Sequence, residues 1–127
     1  MTKYIIDAYA WIEYLDGSNL GKKVVQILEE NNEIYTCAIT IGEVVSKVAR
    51  TGKDAKTAYD ILLSNSQIIT VDDDLSVQGG LIHCEMRKNQ KDFGLADAYI
   101  LAAARKLKSK ILTGDPHFRG IKEAIMI

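Results

Sequence analysis

Apolar positions along this chain follow two alternating rhythms. Lys3-Tyr-Ile-Ile-Asp7, Glu33-Ile-Tyr-Thr-Cys37, Gln67-Ile-Ile-Thr-Val71 and Lys110-Ile-Leu-Thr113 are short runs rich in β-branched and aromatic residues, as in strands buried on both faces. Between them, apolar residues return every three or four positions, which predicts helices. Trp11, Ile12 and Leu15 mark one over 8–15, and the turn Asp16-Gly17-Ser18 leads to a second, capped by Ser18 and carrying Leu20, Val24, Ile27 and Leu28 up to residue 31. A third is predicted over 40–50, stopped by Thr51-Gly52, and a fourth over 54–64 through Ala58, Ile61 and Leu62. The segment 72–89 is helical in pattern, but Gly79-Gly80 is expected to weaken or kink it. An alanine-rich helix runs over 94–107, and residues 124–127 are a fifth candidate strand.

Short strands alternating with helices imply a mostly parallel sheet of four to five strands covered on both faces, a three-layer α/β/α sandwich. In such a sheet ligands bind outside the carboxyl ends of the strands. Asp7, Asp115 and the stretch leading to Glu43 all follow predicted strands.

Composition narrows the class without naming a chemistry. With 127 residues, 47% of them hydrophobic and 26% charged, the expectation is one soluble domain over 1–127. No apolar stretch approaches the roughly 18 residues of a membrane span. The opening apolar run breaks at Asp7, unlike a secretory leader, so a cytoplasmic location is expected. Cys37 and Cys84 stand far apart in sequence, which argues against a zinc or disulfide framework, and both read as buried small apolar residues. The net charge is −1, yet setting Asp7, Glu43, Asp97 and Asp115 aside leaves 13 acids against 16 Lys and Arg. The remaining surface is then mildly basic, which is compatible with binding phosphates.

Each of those four acids has a plain structural explanation beside a chemical one. Asp97 sits in Leu95-Ala-Asp-Ala-Tyr-Ile-Leu-Ala-Ala-Ala104, sharing a helical face with Ile100, Leu101 and Ala104. Its carboxylate therefore points into packed surface and needs a cation, a donor or a proton, unless it only satisfies N–H groups of its first turn. Asp7 is placed to cap a helix, and Asp115-Pro116 is placed to open a turn. Thr40-Ile-Gly-Glu43 fits a capping box, Lys47 follows at ion-pair spacing, and Ile41, Val44, Val45 and Val48 face away from Glu43. Taken together, however, acids beyond several strand ends converge in one crevice. Carboxylates that close would protonate in part unless a hard divalent cation, Mg2+ or Mn2+, lay among them.

The segments Ile6-Asp7, Thr40-x-x-Glu43, Asp97-Ala-x-Ile-x-Ala-Ala-Ala104 and Thr113-x-Asp115-x-x-Phe118 resemble, in order and spacing across essentially the whole chain, the acidic motifs of PIN-domain nucleases. Length and architecture are most similar to the VapC-type toxins of that family. The resemblance implies that Asp7, Glu43, Asp97 and Asp115 bind one or two Mg2+ or Mn2+ ions and that Thr113 supports Asp115, the last of these acids. It implies an endoribonuclease that cuts single-stranded RNA by metal-activated water, leaving 5′-phosphate and 3′-hydroxyl ends. It further implies a homodimer and a small antitoxin protein as partner in a type II toxin–antitoxin pair. The chain departs from the pattern at Ala8 and Tyr9, where many members carry Ser or Thr.

Tyr9 is placed to stack on a base, Lys47, Arg50, Lys53 and Arg119 to meet phosphates, and His117 to touch substrate; a solvated surface charge is the alternative for each base. Tyr4, Trp11 and Tyr14 read as core. Asp72-Asp73-Asp74 reads as the negative start of a helix, and His83 and His117 are too isolated to suggest zinc. Two other readings stay open. One is a receiver-like phosphoacceptor module, which would need an acid pair after the first strand and a lysine after the last; the other is a PIN-like RNA-binding or RNA-processing protein outside toxin–antitoxin systems.

Overall fold

The computed structural model describes residues 2–127. The elements run β1 (Lys3–Ile6), α1 (Ala8–Asp16), α2 (Gly21–Glu29), β2 (Glu33–Cys37), α3 (Ala38–Arg50), α4 (Ala55–Asn65), β3 (Gln67–Ile69), α5 (Asp73–Met86), α6 (Leu95–Leu107), β4 (Lys110–Thr113), a 3-10 turn (Pro116–Phe118) and β5 (Ala124–Met126). All strand pairs are parallel, in the order β3-β2-β1-β4-β5. This is the expected three-layer α/β/α sandwich.

The period of two along the strands builds both outer layers. Ile5 and Ile111, paired in register, join Leu101, Ala104 and Phe118 in a core under α5 and α6. Ile6 and Leu112, the next register pair, point the other way, into a core with Trp11, Val24, Val44 and Leu62 of α1 to α4. Trp11, fully buried, donates its ring N–H to Thr36 Oγ1 of β2 at 3.1 Å, tying α1 down on the sheet.

β1 lies at the centre, and the chain leaves it toward β2 on one side while β4 closes the other. That reversal opens a crevice at the carboxyl ends of β1 and its neighbours. Three expectations change here. α5 continues through Gly79-Gly80 to Met86, because Gly79 is buried at the contact with α6, where an added Cβ would lie 2.2 Å from Tyr99 Cδ1. The glycine marks close helix packing, not a break. α3 starts at Ala38, so Thr40 lies within its first turn, buried, and the capping box with Glu43 does not form. Cys37 is buried as expected, but Cys84 is exposed, on the outer side of α5. Asp72 behaves as read, capping α5 by accepting from Leu75 N at 2.8 Å. Among the described residues no helix is long and apolar enough to cross a membrane.

Candidate active site

Asp7 leaves the end of β1, and each of its oxygens has a partner. Oδ1 caps α1 by accepting from Ala10 N at 2.9 Å, while Oδ2 accepts a short hydrogen bond from the Thr113 hydroxyl at the end of β4. Thr113 Oγ1 in turn accepts from Asp115 N at 2.9 Å. One hydroxyl therefore joins the first acid to the backbone of the last. Asp115 Oδ1 accepts from His117 N at 2.9 Å, and Asp97 Oδ2 accepts from Gly94 N at 3.2 Å. The capping roles foreseen for Asp7, Asp97 and Asp115 are thus real, and they orient the carboxylates for other work. Asp97 Oδ1 and Asp115 Oδ2 take none of these bonds.

The four acids share one electrostatic neighbourhood. Burial pushes Asp7 up to about 7 against its bonds from Thr113 and Ala10, and Asp115 and Asp97 add repulsion. Asp97 is raised by burial and by Asp115, opposed by the Gly94 N–H and by His117. Glu43, exposed on α3, is raised by partial desolvation and then by Asp97 and Asp115. Charges held this close need a cation once they ionise.

The tightest group within the cluster differs from the expected four. Asp97, Asp115 and His117 each offer an atom within 4.8 Å of the others, while Asp7 and Glu43 stand outside that group. His117 Nδ1 lies 3.2 Å from Asp115 Oδ1 and 3.7 Å from Asp97 Oδ2, and it is buried without a hydrogen-bond partner. An orphaned donor atom between two carboxylates fits a metal ligand. Sequence reasoning assigned His117 to substrate and not to this cluster. The available signal was Asp115-Pro116-His117, in which a proline at the first position of a tight turn brings the imidazole back beside the acid.

A cleft of about 270 Å³ opens beside the acids, lined by Tyr9, Glu43, Lys47, Arg50 and Asp115 among others. The Tyr9 ring lies over Gly114, where a Cβ would come within 2.3 Å of its Cε1, so only glycine allows this approach. Tyr9 stays 42% exposed and lines the cleft. Arg119 is exposed beyond the 3-10 turn and is not among the residues lining this cleft. Lys53 is also elsewhere, paired with Asp16 at 3.3 Å beside a separate groove between α1, α3 and α4 that contains none of the four acids.

The sequence profile of the PIN domain matches residues 4–124. The chain belongs to the PIN domain family. Solved PIN-fold structures superpose over nearly its whole length. A toxin–antitoxin complex from Klebsiella pneumoniae has 23% identity and a TM-score of 0.73, covering 97% of this chain and 96% of that one. VapBC2 from Rickettsia felis, bound to a DNA fragment from its promoter, has 19% identity and a TM-score of 0.77, covering 99% and 98%. VapC20 from Mycobacterium tuberculosis, described as a sarcin-ricin loop cleaving toxin, has 19% identity and a TM-score of 0.78, covering 98% of each chain. At these identities the likeness establishes the fold. No curated protein matches the chain. The receiver-like reading falls with the family assignment, and β1 is followed by the single acid Asp7 where a receiver would need an acid pair.

Proposed function

We propose that this PIN domain is a cytoplasmic endoribonuclease that cuts single-stranded RNA with water, at a centre holding one or two Mg2+ or Mn2+ ions among Asp7, Glu43, Asp97 and Asp115. The observation that carries the reading is that carboxylates from four separate segments come close at the open end of the sheet, where Asp97 and Asp115 raise the proton affinity of Asp7 and Glu43. Family membership supports it.

When bound, a divalent cation would supply a nucleophilic water at neutral pH and neutralise charge at the scissile phosphate. Asp97 and Asp115 would hold the cation, since a carboxylate that accepts one capping bond keeps further lone pairs free. Asp7 adds negative charge behind them and, through Thr113, fixes the backbone of Asp115. Glu43, lining the cleft with Asp115, would accept a proton from a water in the cleft. Tyr9 offers its ring to a base, and Lys47 and Arg50 neutralise phosphates along the strand. In-line attack would bond the water oxygen to phosphorus and break the bond to the 3′ oxygen, which takes up a proton from solvent, leaving a 5′-phosphate and a 3′-hydroxyl.

Thr113 donates to Asp7, so the first acid has a hydroxyl partner although Ala8 follows it, which favours a catalytic centre over a PIN-like RNA-binding protein. The toxin–antitoxin complexes among the similar structures support a toxin role in a type II pair and a small antitoxin protein as partner. A homodimer belongs to the same reading. Val77 and Leu81, 58% and 63% exposed one turn apart on α5, lie between acidic Asp73 and Asp74 and basic Arg87 and Lys88. Two antiparallel copies of α5 match apolar to apolar and acid to base. Sedimentation should give twice the chain mass of 14.1 kDa, and a single-chain mass would remove this part of the proposal.

The catalytic assignment is tested by Asp97→Asn. Cation-dependent cleavage of single-stranded RNA should fall to background while the melting temperature holds. Cleavage at the native rate in the purified variant would exclude the role given to Asp97.

A further inference from the structure

The carboxylate cluster holds one donor that an oxygen-only centre does not need. His117 Nδ1 is buried, has no hydrogen-bond partner, and lies 3.2 Å from Asp115 Oδ1 and 3.7 Å from Asp97 Oδ2. We infer that His117 is a nitrogen ligand of the metal centre and that it tunes the site toward Mn2+ over Mg2+. The inference rests on the metal-centre reading above and adds the identity of the preferred ion.

The position of the ring is built, not incidental. Pro116 fixes the first residue of the 3-10 turn, and Asp115 Oδ1 accepts the His117 N–H at 2.9 Å. Phe118 is fully buried against Phe93, with ring centroids 5.9 Å apart, and anchors the far end of the turn. Neighbouring ligands of an octahedral ion with bonds of about 2.1 Å lie about 3 Å apart. The spacings from Nδ1 to Asp115 and Asp97 approach that edge before any ion draws the donors together. The imidazole side chain is 38% exposed, which leaves Nε2 room to donate to water, as the second nitrogen of a ligating histidine ordinarily does.

Donor chemistry then decides the ion. Mg2+ sheds water reluctantly and favours carboxylate and water oxygens, so an imidazole nitrogen adds little to its affinity. First-row divalent ions accept imidazole readily, and Mn2+ among them also accepts the carboxylates that surround this nitrogen. One nitrogen among oxygens therefore separates two ions that an all-carboxylate centre would distinguish less. Zn2+, which would favour a nitrogen-rich or sulfur-rich tetrahedral set, finds one histidine and no cysteine in the group.

The test uses Mn2+ itself as the probe. Electron spin-echo measurements on the full chain with one equivalent of Mn2+ should show coupling to an imidazole nitrogen, lost in His117→Asn, which keeps an oxygen near the same place. Titration should show the variant binding Mn2+ about tenfold more weakly while its affinity for Mg2+, read by displacement of Mn2+, changes by less than about threefold. Bound Mn2+ without nitrogen coupling in the native protein, or an unchanged ratio of the two affinities in the variant, would overturn the role of His117 and leave the carboxylate centre standing. A Mn2+ signal undiminished by the native protein would overturn the metal centre as well.

Discussion

Thr113 shows how much of this site depends on a single side chain. Its hydroxyl donates to Asp7 Oδ2 and accepts from Asp115 N, and it is fully buried. Thr113→Val keeps the shape but leaves a buried carboxylate oxygen and a backbone N–H unpaired, at a cost of roughly 1 to 3 kcal/mol for each unsatisfied group. The variant should melt earlier and lose RNA cleavage, whereas Thr113→Ser should restore both; equal stability of the Val variant would show that the bridge contributes little. The sequence made readable the placement of Asp7, Asp115 and the stretch before Glu43 after strands and the apolar surroundings of Asp97, while Thr113 came from the resemblance to PIN-domain motifs. It did not reveal which oxygens are engaged, nor that the turn after Asp115 brings His117 into the acids. Such details depend on side-chain direction across a loop, and hydrophobic period carries no record of them.

At the level of elements, strands and helices were legible wherever one face is buried, and boundaries moved where a tertiary contact intervened. β2 and β4 run as their patterns indicate, while β3 ends at Ile69 and the partly buried Val71 packs beyond the ladder. The two adjacent glycines of α5 illustrate why composition misled. Gly80 has open space around its Cα, but Gly79 faces Tyr99. Gly80→Ala should therefore stabilise the protein by about 0.5 to 1 kcal/mol through helix propensity. Gly79→Ala should destabilise it by about 1 to 3 kcal/mol, since the added methyl must displace the Tyr99 ring. Chemical denaturation reads both, and identical effects would mean that α5 and α6 do not pack as closely as described. Glu43 is the counterpart on the other face of the sheet. A helix start at Ala38 in place of Thr40 frees it from a cap and leaves it among residues lining the cleft.

For the whole molecule, the sheet order brings scattered acids into one electrostatic neighbourhood, and that crowding costs stability in a way that depends on pH. Asp7 is raised in the folded chain from 3.8 to about 7, with Asp97 and Glu43 shifted in the same direction. Between those two values the folded chain keeps a proton that the unfolded chain has lost. Stability of the metal-free protein therefore falls as pH rises through that window, by up to about 1.4 kcal/mol per pH unit for each such proton. A divalent cation binds the ionised cluster and reverses the loss. The most direct measurement is the melting temperature at pH 5 and pH 7.5, with Mn2+ and with chelator. The account predicts a lower melting temperature at pH 7.5 in chelator, flattened in Asp7→Asn, and a rise on adding Mn2+ that is larger at pH 7.5 than at pH 5. A metal-free stability that does not change between the two pH values, with no response to Mn2+ at either, would contradict it.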